Sequence, residues 1–201
     1  MNEDKFRGKY RIASARLQSW DYGSNGMYFI TICTGDRNHF FGEVVQGKMI
    51  LSHVGIIADV LWYEIKNHAK NIELGEFVVM PNHVHGILIL DNSGNNNAID
   101  GKDKACLVST TNNATNTTNK INRNSIEKNR FQNQGKNTIS SIVGGYKSAV
   151  TKHARRLGFD FDWQSRFHDH IIRDEQSYLR ITEYIINNPQ NWRDDCFYDG
   201  G

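Results

Sequence analysis

Residues 91–137 constrain this chain more than any motif does, because they cannot contribute to a core. The segment is dense in Asn, Ser and Thr, as in STTNNATNTTNKINRNS, and has almost no periodic apolar signal. Such a composition buries too little apolar surface to offset the entropy lost on ordering it. It reads as a flexible, mildly basic insertion and not as a domain. Whatever folds is therefore assembled from residues 1–90 and 138–201, and a chain of 201 residues holds one sizeable core or at most two small ones. The expectation is one domain whose two parts lie on either side of the insertion.

The first part reads as strands with one helix. MYFITICT (27–34) is β-branched and aromatic, as a buried strand is. A Gly-, Asp- and Asn-rich turn follows, and then EVVQGKMIL forms a hairpin around Gln46-Gly47-Lys48. From Ser52, a fitting N-cap, apolar residues recur at Ile56, Ile57, Val60, Leu61 and Ile65 with helical spacing. IELGEFVVM (72–80) is a further strand, which turns at Pro81-Asn82 into HVHGILIL (83–90).

The second part opens with a helix whose stripe is Ile139, Ile142, Val143, Tyr146, Val150 and Leu157, closed by Gly158. FDFDWQSRF (159–167) reads as a short edge strand. A last helix starts at the N-cap Asp174, places Tyr178, Ile181 and Ile185 on one face, and stops at Asn188-Pro189. These elements predict a mixed α/β fold, a sheet covered by helices.

Charge and cysteine usage narrow the function. Net charge is only +2, but Lys5, Arg7, Lys9, Arg11 and Arg16 crowd one stretch, and Lys147, Lys152, Arg155 and Arg156 another. Locally basic faces suit a polyanion, or are simply solvated. No run approaches the roughly 18 apolar residues of a membrane helix. The basic N-terminus has no apolar stretch after it, and Cys33, Cys106 and Cys196 form no CxxC pair. A cytoplasmic protein without membrane contact is the expectation.

VMPNHVHG carries the most chemistry. In a strand, residues i and i+2 share a face, so His83 and His85 project together while Val84 points away. That spacing suits two ligands on one divalent metal, which would act as a Lewis acid on a phosphoryl oxygen. Two ordinary strand histidines remain the alternative at this point. His168 and His170 flank Asp169 in a charged stretch and read as surface or polyanion contacts.

Four ordered blocks, YFITICTGDRNHFFGEV, VVMPNHVHGILIL, IVGGYKSAVT and WQSRFHDHIIRDEQSYLRITEYIINNPQNW, resemble the REP-associated tyrosine transposases of the HUH single-tyrosine superfamily. The resemblance covers most of the chain outside the insertion. It implies an α+β, ferredoxin-like antiparallel sheet with helices on one face and a C-terminal helix. It also implies a homodimer that cleaves and rejoins single-stranded or hairpin DNA, with Mg²⁺ or Mn²⁺ held by His83 and His85. The reaction implied is transesterification by a tyrosine, leaving a 5′-phosphotyrosine link that conserves the bond energy, in keeping with the absence of a phosphate-binding GxxxxGK[ST] loop.

By that pattern Tyr146 is the nucleophile, with Tyr184 in reserve. Gly144 and Gly145 before Tyr146 suggest a close backbone approach or a pivot. Some members complete the metal site with a polar side chain one turn beyond the tyrosine. Here that position is Val150, so His153 or Asn82 is the third ligand expected. Phosphates would be held by Lys147, Lys152, Arg155, Arg156, Arg11 and Arg16, and bases would stack on Trp20, Tyr22 or Trp163. A non-catalytic binder of structured DNA and a phosphodiesterase acting on another nucleic acid are the alternatives.

Overall fold

The structure, a computed structural model, describes residues 23–92 and 138–198. The insertion beyond Asn92, Cys106, Arg11, Arg16, Trp20 and Tyr22 lie outside the described residues.

β1 (Gly26–Cys33) alternates as its sequence requires: Tyr28, Ile30 and Ile32 are fully buried on one face, while Met27 and Phe29 pack on the other. β2 (Gly42–Val45) and β3 (Lys48–Leu51) form the hairpin, with Gln46 and Gly47 both left-handed at φ 50° and 73°. That conformation matches the twist of a two-residue turn. α1 (His53–Tyr63) is capped by Ser52, whose Oγ accepts from the Gly55 N–H at 3.1 Å. The short α2 (Ile65–His68) leads into β4 (Ile72–Met80), and β5 (His83–Leu90) returns beside it.

α3 (Ile139–Arg156) starts at a reciprocal cap between Thr138 and Ser141. β6 (His168–Ile172) and α4 (Glu175–Asn187) complete the chain, with the Asp174 carboxylate accepting from the Ser177 N–H at 2.7 Å.

The main sheet has the order β4-β5-β1-β6, with every neighbouring pair antiparallel. With α1 between β1 and β4 and α3 between β5 and β6, this is the ferredoxin-like connection, and the β2–β3 hairpin is an addition to it. β6 lies after the insertion and pairs with β1 before it, so the two parts share one sheet.

The sheet has two covered faces. α1 contributes Val54, Ala58 and Trp62, and α3 contributes Ile142, Val143, Tyr146 and Val150, to a core with Tyr28, Ile30, Ile32, Val84 and Leu88. α4 packs on the opposite face, where Ile185 meets Ile87 and Ile172, bordered by Phe29, Tyr178 and Ile181.

Two expectations need correcting. The edge strand is His168–Ile172, not 159–167. Phe161 and Trp163 alternate like strand residues, but their rings pack with Phe40 and Phe41 in an aromatic cluster. Among the described residues, only the isolated bridge between Thr34 and Trp163 pairs this stretch with a strand-like partner. Leu157 is not on the buried stripe either, being 64% exposed. The helix ends one residue before it, and the chain turns away at Gly158 with φ 82°.

Gly86 sits where β5 meets the first core. A Cβ there would lie 2.2 Å from Trp62 Cζ2 and 2.7 Å from Cη2, with Phe77 Cβ 3.1 Å away. Trp62 is fully buried and has nowhere to retreat. Gly86→Ala is expected to destabilise the protein by about 3 kcal/mol, the upper range for overpacking, measured by urea denaturation.

Candidate functional site

His83 and His85 share strand parity with Ile87 and Ile89, which places both imidazoles on the α4 face. Their ring centroids are 4.3 Å apart, and each ring is fixed through Nδ1. His83 Nδ1 lies 2.9 Å from Asn82 Oδ1, and His85 Nδ1 lies 2.9 Å from Thr31 Oγ1. Anchoring Nδ1 directs Nε2 outward from the anchor, as in histidine ligands held by an outer shell. His83 Nε2 is buried and has no hydrogen-bond partner. An unpartnered buried nitrogen costs free energy unless something binds it.

Both rings are held neutral, the form that ligates metal. Burial drives the His83 pKa well below its usual value, aided by the repulsion a second proton would meet from His85 and by the Arg37 charge. Burial also lowers His85, to about 4, against the raising effect of Asp195.

α4 and the segment after it complete the cluster. The Tyr184 hydroxyl is 3.2 Å from His85 Nε2 and donates to Asp195 Oδ2 at 3.1 Å. One ligand atom each from His83, His85 and Asp195 all lie within 4.8 Å of one another, so these three could hold a metal ion. Asn188, one turn beyond Tyr184, is 1% exposed. Its Nδ2 donates to Asp195 Oδ2 at 2.7 Å, and its Oδ1 is buried without a partner. Two imidazole nitrogens with carboxylate and amide oxygens make a mixed donor set that could hold a divalent ion.

Tyr184 is 43% exposed. Burial, and then the charge and hydrogen bond of Asp195, push its phenol far above the ordinary value. It is a weak acid here, and only a positive charge at the site would reverse that.

The expectation for Tyr146 does not fit this geometry. Its ring is 3% exposed, edge-on to Trp62 in the core between α1, α3 and the sheet. Its hydroxyl donates to the Ala58 carbonyl at 3.0 Å, and burial drives its pKa far up. The sheet stands between it and the histidines. The apolar stripe on which Tyr146 lies is the physical reason, since it is what binds α3 to the core.

The expected third ligands fare likewise. His153 is exposed on α3, on the other side of the sheet. Asn82 is at the site, but its oxygen is engaged with His83 and its Nδ2 donates to the Phe197 carbonyl at 2.8 Å, which makes it a positioning residue.

Lys147, Lys152 and Arg155 line an open groove of about 420 Å³ with Trp163, also on the α3 side. Lys147 Nζ donates to the Gln164 carbonyl at 2.6 Å, and Arg156 is exposed nearby on the helix. These cations are thus separated from the histidine pair by the sheet. His168, by contrast, comes to the histidine side: Thr31 pairs with His85 on one flank and His168 on the other.

Asp195 and Asn188 were missed from the sequence. Asn188 carried a signal, the polar position one turn after a tyrosine. Asp195 carried none, because a 3₁₀ turn at Trp192–Asp194 folds it back onto the site.

No family model matches the chain. An uncharacterized protein of Haemophilus influenzae (strain ATCC 51907 / DSM 11121 / KW20 / Rd) is 36% identical over 193 residues, 95% of each chain. This chain belongs to the family of that protein. Among solved structures, it is similar to a REP-associated tyrosine transposase bound to a REP hairpin, at 18% identity and a TM-score of 0.49, over 96% of this chain and 74% of that one. It is also similar to a transposase-like protein of Deinococcus radiodurans, at 14% identity and a TM-score of 0.39, over 86% of this chain and 95% of that one. No described helix is long and apolar enough to cross a membrane.

Proposed function

We propose that this family member is a metal-dependent single-stranded DNA nuclease and strand transferase that works in the cytoplasm on hairpin-forming repeats, with Tyr184 as its nucleophile. The observation that carries the reading is the Tyr184 hydroxyl, 3.2 Å from His85 Nε2 on the face where two strand histidines converge. The four motif blocks that resemble tyrosine transposases support the choice of DNA.

In this reading the Tyr184 oxygen attacks a phosphodiester phosphorus. The P–O3′ bond breaks, a 5′-phosphotyrosine bond forms, and the 3′-oxygen leaves as a hydroxyl. The phenolic proton departs along its hydrogen bond to Asp195 and is passed through solvent to the departing 3′-oxygen, so that Asp195 ends the step ionised as it began. His83, His85 and Asp195, with Asn188 beside them, would hold the ion. Bound there, Mg²⁺ or Mn²⁺ would supply Lewis-acid stabilisation of the charge on the phosphoryl oxygens. Rejoining reverses the step with an incoming 3′-hydroxyl, so no nucleotide cofactor is required. The Lys147–Arg155 groove would bind DNA away from the chemistry, adding salt-dependent affinity.

The test is a denaturing gel of end-labelled hairpin DNA with single-stranded flanks, incubated with protein and Mn²⁺ or Mg²⁺. A covalent adduct that requires Tyr184 supports the reading. Non-covalent complexes alone would favour a DNA binder without cleavage activity. One observation speaks for that second reading: His83 is 0% and His85 1% exposed.

A homodimer belongs to the proposal, yet one chain contributes every group of the site. Mixing Tyr184→Phe with His83→Ala protein is therefore expected to give no complementation, with adduct at background. Recovery of roughly a quarter of wild-type adduct, as random pairing of two variants sharing a site across subunits would give, would show that the tyrosine serves its partner's histidines.

A further inference from the structure

The His-Asp-His stretch of β6 has no part in the chemistry above, yet the sheet brings one of its histidines to the site. Thr31 of β1 pairs with His85 of β5 on one flank and with His168 of β6 on the other. Residues directly opposite in antiparallel strands project from the same face, so His168 stands on the α4 face with His85. Ile172, of the same parity on β6, packs beneath α4 accordingly. With strands about 4.8 Å apart, His85 and His168 are rooted roughly 10 Å from each other, with Thr31 between them. Thr31 is buried, and its Oγ1 is engaged by His85 Nδ1 at 2.9 Å.

The two flanks of Thr31 differ in cover. α4 lies chiefly against β4 and brings the Tyr184 hydroxyl onto His85. The Phe197 ring stands 4.5 Å from the His83 ring and 5.8 Å from the His85 ring, centroid to centroid. His83 and His85 are buried, whereas His168 is exposed on the edge strand. Tyr184 and Asp195 are therefore gathered on the β5 side of Thr31, and the open ground lies on its β6 side. Attack on a phosphodiester runs roughly in line, with the entering and departing oxygens on opposite sides of phosphorus. A phosphate over Thr31 that meets Tyr184 from the β5 side sends its 3′-oxygen toward β6. That oxygen is the harder of the two to accommodate. A phenol has a pKa of about 10 and a sugar hydroxyl is a weaker acid still, so the departing alkoxide is more basic than the attacking phenolate. Asp195 is hydrogen-bonded to Tyr184 and so attends the entering oxygen.

We propose that His168 is the general acid of the cleavage step, its imidazolium giving a proton to the 3′-oxygen as the P–O3′ bond breaks. This rests on the single-stranded DNA reading of the site. The phenolic proton that Asp195 takes up reaches His168 through solvent. Both groups end as they began, and the 3′-hydroxyl holds a proton in place of the one Tyr184 lost. Rejoining runs the same transfers backwards, with the neutral His168 ring accepting from the incoming 3′-hydroxyl. His170 shares the strand and the face, but it stands opposite Phe29, one pair further from the site, and takes no part.

The experiment compares two hairpin substrates that differ in one atom at the cleavage point, the bridging 3′-oxygen or a sulfur in its place. A thiol ionises near neutral pH, so a 3′-thiolate leaves without a proton and needs no acid. Adduct formation by full-length protein with Mn²⁺ is timed on denaturing gels. On the oxygen substrate, His168→Ala is expected to be slower by about 100-fold or more, as when a general acid is lost. On the sulfur substrate it is expected to keep pace with the wild type. His168→Gln, which keeps a polar side chain but has no proton to give up, behaves like His168→Ala. His170→Ala matches the wild type on both substrates, and Mn²⁺ affinity and DNA binding are unchanged in all three variants. Equal slowing of both substrates by His168→Ala, no slowing of either, full recovery with His168→Gln, or the same loss with His170→Ala overturns the role of His168 alone, since wild-type adduct formation then still supports cleavage. No adduct from the wild type on either substrate overturns the cleavage reading and the proposal together.

Discussion

Tyr184→Phe is expected to remove the covalent protein–DNA species altogether, a loss of at least about 10³-fold, in the range seen when an essential nucleophile is deleted. Phenylalanine keeps the ring that stands edge-on to Phe29 at 6.2 Å, so the fold and the packing of α4 are preserved. Only the oxygen beside His85 and Asp195 is lost. Tyr146→Phe is the matched control. It removes one buried hydrogen bond to the Ala58 carbonyl and is expected to cost about 1 kcal/mol of stability while adduct formation persists. Labelled-DNA gels and urea denaturation of both variants decide the matter. An adduct lost with Tyr146→Phe in a folded protein, and kept with Tyr184→Phe, would sink the assignment.

His83→Ala is expected to lower Mn²⁺ affinity by more than about 100-fold, beyond the 10–100-fold typical of outer-shell changes. The reason is the unpartnered Nε2: among the described residues nothing else uses that nitrogen, which leaves it available to a metal at the site proposed above. Asn82→Ala should fall within the outer-shell range, because it frees the His83 ring to rotate without removing a ligand. Calorimetric titration with Mn²⁺ reads both. If His83→Ala binds Mn²⁺ like the wild type, the histidine pair is not the metal site, and the burial of its rings must be explained by packing alone.

Much of the fold was legible locally. β-Branched runs, the Pro81-Asn82 turn and the caps at Ser52 and Asp174 all mark structure through short-range physics, and each element they imply is present. Strand parity put His83 and His85 side by side, and that too needs only the period of a strand. The aromatic alternation at 159–163 misled, because rings packing into a cluster and rings alternating on a strand leave the same trace in one dimension.

Which helix faces the histidines was not legible. α3 and α4 each carry an amphipathic stripe and each bear a tyrosine, Tyr146 and Tyr184, and both faces of the sheet are apolar. Local pattern records that a helix has a buried side, but not which side of the sheet buries it. That choice follows from the crossover connections of the sheet, which send α3 to the Trp62 core and leave α4 for the other face. The same long-range closure brings Asp195 back from the far end of the chain and lays Phe197 on the imidazoles. Residue types and their periods thus established a strand histidine pair, a sheet and two candidate tyrosines. Only the packing of the whole chain placed Tyr184, and not Tyr146, beside the histidines, because proximity across a sheet depends on topology and not on neighbours in sequence.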